Sequence, residues 1–169
     1  MTNIIETPEM AKTAVKTSLT PHLTCRNAIE AVEFYKKAFG AEAPCVLTTP
    51  DNRVMHAAVS IDGAMFYVVD EFPEHGSHGP QALGGTAVTM HLQVADCDAV
   101  YAKAVEAGCT SLMPLENMFW GDRWGLVVDP YGHQWSIATT VREMSPAEMQ
   151  EAVDNLDMSA GCGPDANNA

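Results

Sequence analysis

Val88-Thr-Met-His91-Leu-Gln93 decides the fold, because its pattern already stands at Leu19-Thr-Pro-His22-Leu-Thr24. In each stretch apolar and polar residues alternate, the mark of a strand with one buried face. Each leads into a helical segment that stops at a glycine (Phe39-Gly40, Ala107-Gly108) and then into a hairpin whose turn holds another, Gly63 or Gly132. The two histidines lie 69 residues apart, the helix-ending glycines 68 and the hairpin glycines 69. Landmarks held at a near-constant offset mean one supersecondary unit used twice, and they direct attention to where the two copies face each other.

Working outward, residues 1–17 form an N-terminal arm, 18–72 a first module, 73–86 a linker and 87–141 a second module. In the first module a strand over 18–25 precedes a helix over 28–39, capped by Asn27 and ended by Gly40. A strand near 45–49 and a hairpin of 54–61 and 64–70 around Asp62-Gly63 complete it. That tight turn sets Ser60 opposite Met65 and Ala58 opposite Tyr67. The second module repeats the order, with a strand over 88–94, a helix over 97–107 opened by Asp96 or Asp98, and strands near 110–113, 124–128 and 134–139. Ser145-Pro-Ala-Glu148 carries the cap, first-turn proline and acidic third residue of a helix start, so 142–156 holds a C-terminal helix. Residues 157–169 have the composition of a disordered tail. The fold class is α+β, two βαβββ modules, each with a helix on one sheet face and the other face free.

Strand alternation assigns the free faces. The cleft-side set is Thr20, His22 and Thr24; His56, Ala58 and Ser60; Met65, Tyr67 and Val69; Thr89, His91 and Gln93; Arg123, Gly125 and Val127; Gln134, Ser136 and Ala138. The opposite set, including Val88, Trp124, Leu126 and Trp135, is apolar enough to pack beneath helices.

Twenty-two acidic residues against nine basic give a net charge of −13, which repels phosphate backbones and anionic lipid heads. Nucleic acid is excluded as a partner on that ground. No apolar run reaches the roughly 20 residues a bilayer span needs, so no membrane partner is expected. Five cysteines (25, 45, 97, 109, 162) form no CxxC pair and leave one over, which fits reduced thiols in a cytoplasmic protein.

Three stretches carry a family resemblance: Ala31-Val-Glu-Phe-Tyr-Lys-Lys-Ala-Phe-Gly40, Gly121-Asp-Arg-Trp124 and Asp129-Pro-Tyr-Gly-His-Gln-Trp-Ser-Ile137. With Arg53-Val-Met-His-Ala57 and Asp70-Glu-Phe-Pro73, they resemble the vicinal oxygen chelate superfamily of glyoxalases, bleomycin-resistance proteins and extradiol dioxygenases, in its PhnB-like branch. The resemblance spans about residues 18–141. It implies a homodimer and a metal bound by one residue from the first and last strand of each module. Those positions fall on Thr20, Tyr67, Thr89 and Ser136, where a divalent metal would want imidazole or carboxylate. The expectation is therefore no cofactor at the usual positions.

What chemistry remains rests on His22 and His91, each two residues beyond one of those positions, and on His56 from the first hairpin. They are hydrogen-bonding cleft residues or acid–base groups; alternatively they form a displaced site for Zn, Ni, Fe or Mn, completed by Asp122 or Glu116 from a loop. Trp120 and Arg123 flank Gly121-Asp122 where a loop can close over the cleft, and an aromatic ring beside a guanidinium suits a small aromatic or anionic ligand. The alternative is a loop packed on a partner subunit, with Arg123 paired to Asp122 or Glu116. Three functions stay open: a metal-free binder of a small apolar or aromatic molecule, a metal-dependent lyase or dioxygenase using the displaced histidines, and a non-catalytic interaction module.

Overall fold

The computed structural model describes residues 17–155. The first module comprises β1 (His22–Cys25), α1 (Ala28–Phe39), β2 (Glu42–Thr48), β3 (Val54–Ile61) and β4 (Ala64–Asp70). A one-turn helix, α2 (Pro80–Leu83), lies in the linker. The second module comprises β5 (Thr89–Gln93), α3 (Cys97–Ala107), β6 (Thr110–Asn117), β7 (Asp122–Val128) and β8 (Gln134–Thr140), and α4 (Pro146–Asp154) follows it. The expected arm up to Thr17 and the tail from Asp157 fall almost wholly outside the described residues.

Each module is a four-stranded mixed sheet, ordered β1-β4-β3-β2 in the first and β5-β8-β7-β6 in the second. The first strand of each runs parallel to the last, and the remaining pairs are antiparallel. The βαβββ expectation holds in both copies. Local chemistry explains the elements. Asn27 and Asp96 each accept a hydrogen bond from the backbone three residues on, capping α1 and α3. Ser145 and Glu148 close a reciprocal capping box on α4. Asp62 and Gly63 both take positive φ, 47° and 85°, as a two-residue hairpin turn requires. Ser60 faces Met65 and Ala58 faces Tyr67 as the turn dictates. Pro44 and Pro114 lie within register breaks of β2 and β6, where a missing N–H costs nothing and blunts an open sheet edge.

Three expectations need correction. β1 begins at His22, so Thr20 precedes the strand rather than lying on it; Pro21 forbids a continuous ladder, although its carbonyl accepts the Tyr67 N–H at 2.9 Å. Val88 lies ahead of β5 and is 63% exposed instead of packing beneath a helix. In β7 the faces are reversed. Arg123, Gly125 and Val127 pair with Thr139, Ile137 and Trp135, so they lie on the helix side, while Trp124, Leu126 and Val128 share the free face with Ala138, Ser136 and Gln134. The cause is the second hairpin loop, whose length breaks the 69-residue offset by one; an odd slip moves every side chain of a strand to the opposite face.

The core lies on the helix sides of both sheets at once. The helices pack together, and Trp135 from β8 meets Tyr35 and Phe39 of α1 and Phe66 of β4, at ring-centroid distances of 5.5, 4.7 and 5.6 Å. A buried polar network joins the modules through this core. The Asp129 carboxylate accepts from Tyr35 Oη at 2.8 Å, from Trp135 Nε1 at 2.9 Å, and from the backbone N–H groups of Tyr131 and His133. His133 donates from Nε2 to the Thr24 carbonyl of β1 at 3.1 Å. Burial pushes the Cys25 thiol beside it up to about 12, so this cysteine is a packing residue and no nucleophile.

Candidate functional site

Because the modules share their helix-side core, the free sheet faces point away from it and do not enclose a cleft within one chain. The expectation that His22, His56 and His91 meet is not met either: among the described residues no group of three His, Cys, Asp or Glu stands close enough to hold a metal. Each face carries its own constellation.

On the first sheet, Tyr67 stands between two imidazoles. His22, its cross-strand neighbour on β1, meets it edge-on at 5.9 Å, and His56 lies 4.6 Å away at a tilt of 58°. Leu47 from β2, aligned with His56, and Met65 from β4 leave apolar surface open, at 57% and 44% exposure.

On the second sheet the polar residues form one continuous chain. Thr140 Oγ1 donates to Asp122 Oδ1 at 2.7 Å, and Gln93 Nε2 donates to Thr140 Oγ1 at 2.9 Å. Gln93 Oε1 lies 3.0 Å from His91 Nε2, and His91 Nδ1 lies 2.8 Å from Ser136 Oγ. The direction of every proton follows from one end. A carboxylate only accepts, so Thr140 spends its proton on Asp122 and must accept from the Gln93 amide. Gln93 then offers its oxygen to His91, whose Nε2 carries the hydrogen, leaving Nδ1 to accept from the Ser136 hydroxyl. Asp122 thus sets the tautomer of an imidazole three residues down the chain. Asp122→Asn removes that directionality, because an amide both donates and accepts. Nitrogen-15 spectra of wild type are expected to show neutral His91 protonated on Nε2, and D122N to show mixed tautomers. A wild-type His91 protonated on Nδ1 would refute the assignment.

Beside this chain stands an aromatic corner. Trp124, half-buried on the free face, meets Trp120 at 6.0 Å and 74°, and Phe119 meets Trp120 at 4.9 Å and 88°. Asp122 also accepts the Trp120 indole N–H at 3.1 Å. Gly121 supplies the turn between them: its φ of +97° and the Arg142 carbonyl, which lies where a Cβ would sit, leave no room for a side chain.

Of the residues proposed from sequence, His91, Ser136, Thr89 and Trp120 gather on the second sheet, and His22, His56 and Tyr67 on the first. Thr89 donates to the Gln134 side chain at 3.3 Å. Arg123 leaves the site altogether. It lies on the helix side and makes two bonds to Asp98 of α3, 2.7 and 2.6 Å, in place of the expected Asp122 or Glu116. Trp124, assigned to the core by the reversed parity, belongs to the site, as does Thr140; only the pairing of β7 with β8 reveals the former.

A bound divalent metal does not fit these donors. Thr89, Ser136 and Tyr67 offer neutral hydroxyls, and both nitrogens of His91 are engaged by neighbours.

Comparison with known proteins agrees with the fold. Residues 18–137 match the model of the Glyoxalase/Bleomycin resistance protein/Dioxygenase superfamily, and the chain belongs to that superfamily. A Mycobacterium bovis protein described only as uncharacterized is 42% identical over 144 residues, covering 83% of this chain and 95% of its own. The PhnB protein of Bacillus cereus has a similar structure (TM-score 0.58, 22% identity, 73% and 99% of the two chains). So does TnmS3, an antibiotic binding protein from Streptomyces sp. CB03234 (TM-score 0.56, 20% identity, 76% and 98%). At these identities the two structures speak for the fold alone. No helix among the described residues is long and apolar enough to cross a membrane.

Proposed function

We propose that the chain is a small-molecule binding protein that takes a planar aromatic ligand against the free face of the second sheet, without a metal. The observation that carries this reading is Trp124: a large indole placed on an open face, inclined at 74° to Trp120 and outside the buried core cluster. Ring faces give a planar ligand stacking surface, and the exposed Gln93, whose amide spends one N–H on Thr140 and keeps the other, gives it a hydrogen-bonding partner. The antibiotic-binding role in TnmS3's description supports binding as a use of this fold. The metal-free part rests on the hydroxyl donors; a stoichiometric metal in freshly purified protein, lost in His22→Ala and His91→Ala variants, would overturn it.

The chain has three tryptophans, two at the corner and Trp135 buried at 2% exposure. Ligand titration is therefore expected to quench two of three indoles and spare the third. A panel of planar aromatics that leaves the fluorescence unchanged at millimolar concentration would sink the reading.

The cleft itself is completed by a second copy, the first sheet of one chain covering the second sheet of the other. The support is the open apolar surface at Leu47 and Met65 on the face that carries Tyr67. Sedimentation is expected to give twice the 18.2 kDa chain mass at micromolar concentration. A monomer there contradicts the pairing.

A further inference from the structure

Charge distribution around the aromatic corner narrows the ligand class, resting on the small-molecule reading above. Across the β6–β7 pair, Glu116 faces Trp124 directly, which sets their Cβ atoms about 5 Å apart on the free face. Glu116 is exposed and joins none of the ion pairs among the described residues. Asp122, a second carboxylate on this face, holds the Trp120 N–H and thereby adds electron density to that ring. Among the described residues no lysine or arginine of the strands lies on this face, and Arg142, whose backbone packs on Gly121 beside the corner, has its guanidinium bonded to Glu148 at 3.0 Å. Among the described residues Arg123 is the one Lys or Arg in the eight strands, and it lies on the opposite side, bound to Asp98. The other described arginines, 26, 53 and 142, are each paired to a glutamate at the margins of the sheets.

Two indole rings inclined at 74° with an unpaired carboxylate beside them form a site for positive charge, because the ring quadrupole is negative over the face and the carboxylate adds a full charge. We propose that Trp120, Trp124 and Glu116 bind the ammonium group of an organic cation, a protonated or quaternary amine carried on an aromatic or apolar body. A carboxylate or phosphate ligand would meet no guanidinium or ammonium on either sheet face.

The test uses the full chain and three meta-substituted phenols: 3-hydroxyphenyltrimethylammonium, its uncharged isostere 3-tert-butylphenol, and the smaller anion 3-hydroxybenzoate. Calorimetric titration at low salt is expected to show the cation binding about tenfold tighter than the isostere, and the anion weakest. Glu116→Gln is expected to lower cation affinity about fivefold and leave the isostere unchanged, while Glu116→Asp keeps the preference. Equal binding of cation and isostere, or a preference indifferent to Glu116→Gln, overturns the cation subsite but leaves small-molecule binding standing. Failure of all three probes to bind at millimolar concentration overturns both.

Discussion

Trp124→Ala is expected to weaken binding of a planar aromatic ligand by about 30- to 150-fold, the loss of a central aromatic anchor worth roughly 2–3 kcal/mol. Stability should change far less, because Trp124 is half-buried on an open face and stands outside the buried core cluster. The contrast separates binding from folding, since the core indole at Trp135 stays in place and reports the native state. Calorimetry of ligand binding beside thermal unfolding of the same variant checks it. Loss of ligand affinity below threefold would show that the corner is not the binding surface. A large fall in unfolding temperature with unchanged affinity would return Trp124 to the core.

The second large effect concerns Asp129, at the junction of the modules. Four donors converge on its carboxylate, from Tyr35, Trp135, and the backbone of Tyr131 and His133, and it is 4% exposed. Asp129→Ala strands all four away from water, where each unsatisfied buried donor costs about 1–3 kcal/mol before relaxation. A net loss of about 4 kcal/mol is expected, a fall in Tm of roughly 8–16 °C for a chain of this size. Since the network ties α1 of one module to the hairpin of the other, unfolding should stay a single transition, with tryptophan fluorescence and circular dichroism coincident. A loss under 1 kcal/mol, or two separated transitions in wild type, would mean that the modules stand independently and the shared core is not what unites them.

Most of the fold was readable from residues alone because its signals are local. Asn27 and Gly40 bound α1, Asp62-Gly63 fixes the first hairpin and its register, and Ser145 to Glu148 starts α4. Each needs only a few adjacent residues to act, so the repeated pattern led directly to two βαβββ modules. The site was readable in part. His91 and Ser136 were correctly placed on one face, since β5 and β8 keep the repeat offset. Arg123 and Trp124 were exchanged, because the length of the loop after β7 differs between the copies and parity is inherited across that loop. No local signal marks such a slip. Its consequence was chemical: an apparent anion-binding guanidinium became an ion pair with α3, and an apparent core indole came to lie on the free face.

Element order, helix limits, the strongly acidic balance and the duplication itself are properties of the residue string, because caps, turn residues and charge act at short range or by simple count. Where the duplicated units meet is a different kind of fact. It depends on which faces bury the most apolar surface, and Trp135, Tyr35, Phe39 and Phe66 bring the helix sides together around Asp129. The histidine-bearing faces are thereby turned outward, and His22 and His91 lie on two separate sheet faces of one chain. Long-range packing energy, absent from any window of the sequence, made that choice.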